Sequence, residues 1–270
     1  MKIALVQAAS PDAEPPGHRL QRVTNVLKTC PSDVDLIVLP ELWGVGYNHF
    51  DDYAATAECI DGPATHVMSD LARSRGCYIH TGSIVERTTE GALRNTALLL
   101  GPDGEIVHQY SKMHIFGHES REAQFLEPGS RVDTSQTPFG VVGAATCYDL
   151  RFPGLWTVLS DSGADIVIVP AAWPAARRSH WTLLTAARAV DNQIFVVACN
   201  ATGTHNSIEL GGYSRVVDPW GNVVGQADDA EGITVVDIDP ALVARTRAEF
   251  PVLGDRLADY THLTGCESQK

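Results

Sequence analysis

The 270-residue chain carries 33 acidic against 20 basic side chains, a formal charge of −13, and 44% of its residues are hydrophobic. That length and apolar content suffice for a large core near the upper limit of one continuous unit, so residues 1–270 read as a single domain with a C-terminal tail from about 261. The acidic balance excludes a nucleic-acid partner, which needs a basic face, and no apolar stretch approaches the ~20 residues that span a bilayer.

In chain order, the opening apolar run at 3–9 is too short for a secretory core and ends at Ser10-Pro11-Asp12 without a cleavage pattern, which places the protein in the cytoplasm. Six widely spaced cysteines, at 30, 59, 77, 147, 199 and 266, agree with reduced thiols there. Short apolar runs predict strands over 2–8, 34–39, 77–86, 95–101, 141–146, 166–169, 194–200, 213–218 and 232–238. Helical patterns lie between them at 16–29, 62–75, 153–162, 179–192 and 240–249. This alternation predicts an α/β fold. Turn chemistry at Gly101-Pro102-Asp103-Gly104 and at Asp218-Pro219-Trp220-Gly221-Asn222 marks two hairpins, so the sheet is mixed. Three long irregular stretches remain, at about 42–58, 113–138 and 201–212, and loops of that length are usually functional or mobile.

Three reactive groups stand where apolar runs end. Cys147 follows the run 141–146 on a sharp strand-to-helix turn, where backbone amides and a helix N-terminus favour negative charge. Glu41 closes the run 35–40, and apolar surroundings there would raise its pKa toward neutrality, as a proton carrier needs. Lys112 closes the segment 108–112, where an ammonium can hold an oxyanion and lower the pKa of a nearby thiol. Singly, each has an ordinary reading as a core thiol, a rim acid or a surface lysine. Together they sit where α/β sheets gather their ligands, at strand ends.

With these residues the chain resembles the nitrilase, or carbon-nitrogen hydrolase, superfamily. Leu39-Pro40-Glu41-Leu42-Trp43 is similar to its Glu motif, Tyr110-Ser111-Lys112-Met113-His114-Ile115-Phe116 to its Lys motif, and Cys147-Tyr148-Asp149-Leu150-Arg151-Phe152-Pro153 to its Cys motif. The likeness extends to Ala171-Ala172-Trp173-Pro174, His180-Trp181, residues 187–193 and Pro219-Trp220-Gly221. It departs at Gly154 and Asp191, where many relatives carry Glu. The resemblance implies a four-layer α-β-β-α sandwich with two mixed β-sheets, often paired through its helices as a homodimer, and a Glu-Lys-Cys catalytic set. It further implies a second active-site glutamate, matched by Glu122, with Glu119 as the weaker match.

The residues after Cys147 resemble the amidase branches that contain omega-amidases, whereas true nitrilases follow the cysteine with Trp-Glu. The expected reaction is therefore hydrolysis of a small amide to an acid and ammonia through a thioester, with nitrilase or carbamoyl hydrolase as the alternative. A carboxylate-bearing substrate needs a cation, for which Arg151, Arg177 and Arg178 are candidates. Trp43, Tyr148 and Trp173 are candidate pocket walls. No cofactor is expected, and His114 with His118 lacks a third ligand for a metal. Two other readings remain: a Cys-His hydrolase using His114 or His180 as base, and a non-catalytic redox-sensitive binding protein.

Overall fold

The structure, a computed structural model, describes residues 1–257. The tail expected from about 261, with Cys266, lies outside the described residues.

Two sheets carry the fold. One runs Gly232–Asp237, Lys2–Gln7, Leu36–Val38, Tyr78–His80 and Leu93–Leu100, and the last of these pairs with both Ile84–Arg87 and Ile106–Ser111. The second runs Val223–Gln226, Arg215–Val217, Phe195–Asn200, Ile166–Ala171, Gly140–Ala144 and Ser135–Thr137. Lys2–Gln7, Leu36–Val38 and Tyr78–His80 are parallel neighbours, as are Gly140–Ala144, Ile166–Ala171 and Phe195–Asn200, while the edges are antiparallel. Both predicted hairpins form, joining Leu93–Leu100 to Ile106–Ser111 and Arg215–Val217 to Val223–Gln226.

The near-continuous apolar runs have a simple cause: the central strands are covered on both faces. Side chains alternate between two environments, as the two-residue period of a strand requires. Ile3, Leu5, Leu36, Val38 and Leu99 of the first sheet meet Val142, Ile166, Ile168, Phe195 and Val197 of the second in one buried layer. Their neighbours Ala4, Val6, Ile37, Leu98 and Leu100 pack with Val23, Leu27, Met68 and Leu71 of the helices Pro16–Lys28 and Pro63–Arg75. Val167, Val169, Val196 and Ala198 pack in the same way with Trp156, Leu159 and Trp181 of Pro153–Asp161 and Arg178–Asn192. The layers are thus helix, sheet, sheet, helix.

Beyond the helical turns Phe50–Asp52, Tyr53–Thr56 and Glu122–Phe125 and the strand Ser135–Thr137 inside the stretches expected to be irregular, the structure differs from the sequence reading in two places. The strand expected over 77–86 is two strands, Tyr78–His80 and Ile84–Arg87, separated at Gly82, whose φ of +71° belongs to the left-handed region. A Cβ at Gly82 would run into the Pro40 carbonyl oxygen, so the break lets the chain pass close under the segment that carries Glu41. The stretch 201–212 is not irregular: Thr202–His205 and Ile208–Gly211 form a two-stranded hairpin. Replacing Gly82 with Ala is expected to lower stability by at least about 2 kcal/mol, because both backbone conformation and space forbid the methyl. Equilibrium urea denaturation reads this directly, and an unchanged midpoint would refute the close approach.

Candidate active site

Two strand exits and one helical turn deliver the charged groups. Glu41 lies three residues beyond Leu36–Val38, Lys112 directly follows Ile106–Ser111, and Glu122 opens a single helical turn, Glu122–Phe125, inside the stretch 113–138. All three side chains are fully buried. The Lys112 Nζ donates to Glu41 Oε1 at 2.9 Å and to Glu122 Oε1 and Oε2 at 2.8 and 3.0 Å. Glu41 also accepts from Asn95 Nδ2 at 2.8 Å and from the Ala172 amide at 2.9 Å. The apolar surroundings expected for Glu41 are therefore replaced by three hydrogen-bond donors. Glu122 Oε2 accepts from the Tyr47 hydroxyl at 3.1 Å and the Phe116 amide at 2.8 Å. Glu119, by contrast, is exposed and faces His118, so Glu122 is the acid that meets the lysine.

Cys147 sits at φ +47°, a left-handed conformation rare for a side-chain-bearing residue. The expected sharp turn is present, but the chain runs first through the 3₁₀ turn Cys147–Arg151, and Pro153–Asp161 begins only afterwards. No α-helix N-terminus touches the sulfur. Asp149 holds the turn instead. Its Oδ2 accepts from the Thr146 amide at 2.8 Å and the Tyr110 hydroxyl at 2.7 Å. Its Oδ1 accepts from the His114 amide at 3.0 Å and contacts His114 Nδ1 at 2.7 Å. One buried carboxylate thereby ties the cysteine turn to both flanks of Lys112.

The cysteine opens onto a cleft lined by Tyr47, Phe116, Tyr148, Arg151, Trp173 and Arg177, with Ala172 and Pro174 beside them. Tyr148, Trp173, Arg151 and Arg177 are thus where the sequence put them. Trp43 is not. It packs with Val6, Leu39 and Ile79 in the layer beneath the helices and donates its indole N–H to the Thr81 carbonyl. Leu42, at φ +46°, turns the chain after Glu41, and Tyr47 supplies the wall assigned to Trp43. Arg178 also points elsewhere, to the Gly211 carbonyl and Asp229. The histidines named as possible bases are engaged away from the sulfur: His114 stacks on Phe152 and meets Asp149, and His180 meets Arg151. Tyr47, Asn95 and Asp149 were missed by sequence reasoning. Asp149 had a signal, as the third residue of a turn that begins at a strand end. Tyr47 and Asn95 had none.

Burial is the largest influence on Lys112, Glu122 and Cys147. It pulls Lys112 down, but Glu122 and Glu41 outweigh it and hold the ammonium protonated well above the usual lysine value. It pushes Glu122 up, against the pull of Lys112. It also pushes the Cys147 thiol well above its ordinary range, and the charge of Glu41, which accepts from the thiol, adds to the effect, while Lys112 and the Ala172 amide oppose it. Burial and the charge of Glu41 therefore favour the protonated thiol, against the lowering by Lys112 that the sequence reading expected. The signs are testable. Glu41→Gln removes an anion beside the sulfur and is expected to move the pH profile of Cys147 alkylation to lower pH than wild type. Lys112→Met removes the cation and moves it to higher pH. Identical profiles for the three proteins would refute the contact of these groups with the thiol.

The Carbon-nitrogen hydrolase family profile matches residues 2–248. The chain is 35% identical over 266 residues to a 2-oxoglutaramate amidase of Paenarthrobacter nicotinovorans, covering 96% of this chain and 90% of that protein. It is 35% identical over 235 residues to the omega-amidase NIT2 of Mus musculus, covering 83% and 84%. Among solved structures, Nit3 of Saccharomyces cerevisiae, a member of branch 10 of the nitrilase superfamily, superposes with a TM-score of 0.85 at 30% identity, covering 93% of this chain and 94% of that one. The chain belongs to the carbon-nitrogen hydrolase, or nitrilase, superfamily, and is a hydrolase of carbon-nitrogen bonds other than peptide bonds.

Proposed function

We propose that the protein is a cysteine-dependent amidase that converts short, carboxylate-bearing amides into the acid and ammonia through a thioester. One observation carries the reading: a buried ammonium clamped by two carboxylates stands behind a thiol that opens onto an aromatic cleft.

As sulfur attacks the amide carbon, the thiol proton passes to Glu41, which already accepts from it. The carbonyl π pair moves onto oxygen, which takes hydrogen bonds from Lys112 Nζ and the Tyr148 amide, each donor contributing roughly 3 to 4 kcal/mol to the transition state. Collapse of the tetrahedral intermediate breaks the carbon-nitrogen bond, and the proton on Glu41 goes to the departing nitrogen as ammonia forms. Water then attacks the thioester, giving its proton to Glu41, and the proton returns to sulfur as the acid leaves. Glu122 acts through Lys112, fixing the ammonium with two contacts while Tyr47 and the Phe116 amide fix Glu122.

Substrate choice rests on the cleft mouth. Arg151 lies over the Trp173 ring at 4.8 Å and Arg177 over Phe116 at 5.6 Å, and neither pairs with a carboxylate among the described residues. Two unmatched guanidinium groups beside an aromatic wall suit a substrate with its own carboxylate at the far end from the amide. The named relatives, an omega-amidase and a 2-oxoglutaramate amidase, support the same substrate class. We further read the working form as a cytoplasmic homodimer in one catalytic unit. The exposed Val158, Leu183 and Val190 on Pro153–Asp161 and Arg178–Asn192 support pairing through these helices. The five free cysteines among the described residues agree with a reducing compartment, and no helix of the described residues is long and apolar enough to cross a membrane.

Ammonia release over a panel of amides, nitriles and carbamoyl compounds, with Cys147→Ala as blank, tests the reaction. The intact mass under rapid quench is expected to show an acyl adduct on wild type alone. Arg177→Ala is expected to raise KM for omega-monoamides of dicarboxylates at least tenfold, in line with loss of a charged contact, with little effect on an uncharged aliphatic amide. Equal losses on both substrates would sink the clamp without touching the chemistry.

A further inference from the structure

Away from the cleft, Asp12, His49 and His205 come from three distant parts of the chain into one group whose donor atoms all lie within 4.8 Å of one another. Asp12 follows the first strand, His49 lies in the stretch 42–58, and His205 ends the strand Thr202–His205. Among the described residues this is the one grouping of three or more such side chains.

His205 carries the argument. Its residue is 1% exposed, yet neither ring nitrogen has a hydrogen-bond partner. A neutral imidazole has one donor and one acceptor to satisfy, and leaving both unmet in the interior calls for a missing partner. Gly46, at φ +92°, lies so tightly on the ring that a Cβ there would collide with Cε1 and Nε2. Asp12 and His49 stand beside the ring: His205 Nε2 is 3.7 Å from Asp12 Oδ1, too far for a hydrogen bond, and His49 Nε2 is 3.1 Å from the same oxygen.

We propose that Asp12, His49 and His205 hold one divalent transition cation of the zinc class, with a fourth position open to water. Ligands about 2.0 to 2.1 Å from a tetrahedral ion lie roughly 3.4 Å from one another. The observed 3.1 and 3.7 Å straddle that spacing. Two imidazoles with one carboxylate select zinc, cobalt or nickel over calcium or magnesium, which need more oxygen ligands. Part of an outer layer is in place, since the Asn206 amide donates to Asp12 Oδ1 at 2.8 Å, while Asp52, 3.9 Å from His49 Nδ1, is within reach of a small side-chain shift. Arg19, whose charge reaches His205, is matched by Glu14 at 3.6 Å and by three backbone carbonyls.

The ion would act as a clip. It joins the start of the chain and the hairpin Thr202–His205 and Ile208–Gly211 to the loop that, two residues before His49, presents Tyr47 to Glu122. None of its three ligands lines the cleft.

The full-length protein, stripped with chelator and dialysed, is titrated with Co²⁺. One equivalent is expected to bind with visible d–d bands and without a sulfur-to-cobalt charge-transfer band, and Zn²⁺ is expected to displace it. At a hundredfold excess over Kd, Zn²⁺ is expected to raise Tm by about 5 to 10 °C. His49→Ala and Asp12→Asn change partly exposed positions and are each expected to weaken binding at least roughly tenfold. A protein that gives no d–d spectrum, a thiolate charge-transfer band that places the ion on a cysteine, or wild-type affinity in the two folded variants would each overturn the site.

Discussion

The constraint on which the remaining geometry depends is a cation buried without water. The Lys112 ammonium is inaccessible, and an isolated charge in that position is prohibitively unfavourable unless it is paired and hydrogen-bonded. Two carboxylates meet that need, but each brings its own desolvation. Asn95 and the Ala172 amide satisfy Glu41, while Tyr47 and the Phe116 amide satisfy Glu122. The network borders the thiol, which donates to Glu41. Removing the ammonium leaves two buried carboxylates without a cation, at a cost of roughly 3 to 5 kcal/mol, so stability and chemistry are bound to the same atoms.

That coupling bears on how the thiol is kept. A free-standing thiolate beside Glu41 would set two anions against each other in the interior, and burial with Glu41 instead holds sulfur protonated. In the proposed mechanism the nucleophile forms only as the carbonyl arrives and its oxygen begins to take the negative charge. Lys112 then serves the oxyanion more than the resting sulfur. The sequence reading gave the lysine both tasks, because a sequence shows which groups converge and not how many charges share the space.

Much of the fold was legible because its signals are local. The continuous apolar runs, the amphipathic stretches and the Gly101–Gly104 turn each report on their own few residues. The Tyr78–His80 and Ile84–Arg87 break was not, because Gly82 is explained by the Pro40 carbonyl, some forty positions away in sequence. The charged groups of the site were legible as ends of apolar runs and as motifs. The walls were only partly so. Trp43 adjoins the Glu41 motif and is the larger ring, yet the left-handed turn at Leu42 sends its indole inward and brings Tyr47 to the cleft. A two-residue twist of the backbone decides that exchange, and side-chain type carries no trace of it.

The division between core and rim also separates what holds the charged groups from what sets the charge at the cleft mouth. Glu41 and Cys147 follow strands packed on both faces, and Asp149 ties the cysteine turn to both flanks of Lys112, so their positions tolerate little change. Arg151 and Arg177 sit on 3₁₀ turns beyond the strands, Cys147–Arg151 and Ala175–Arg177. The second turn is held by a few specific bonds: the Trp173 indole donates to the Arg177 carbonyl at 2.8 Å, and the Trp173 amide to Asn200 Oδ1 at 2.7 Å. Substitution of the guanidinium leaves those bonds intact, because they use the backbone of Arg177 and not its side chain. Charge at the cleft mouth can therefore be altered without moving the nucleophile, whereas no comparable freedom exists around Lys112. Selectivity is mutable where the structure is anchored through main chain, and the reaction is fixed where side chains anchor one another.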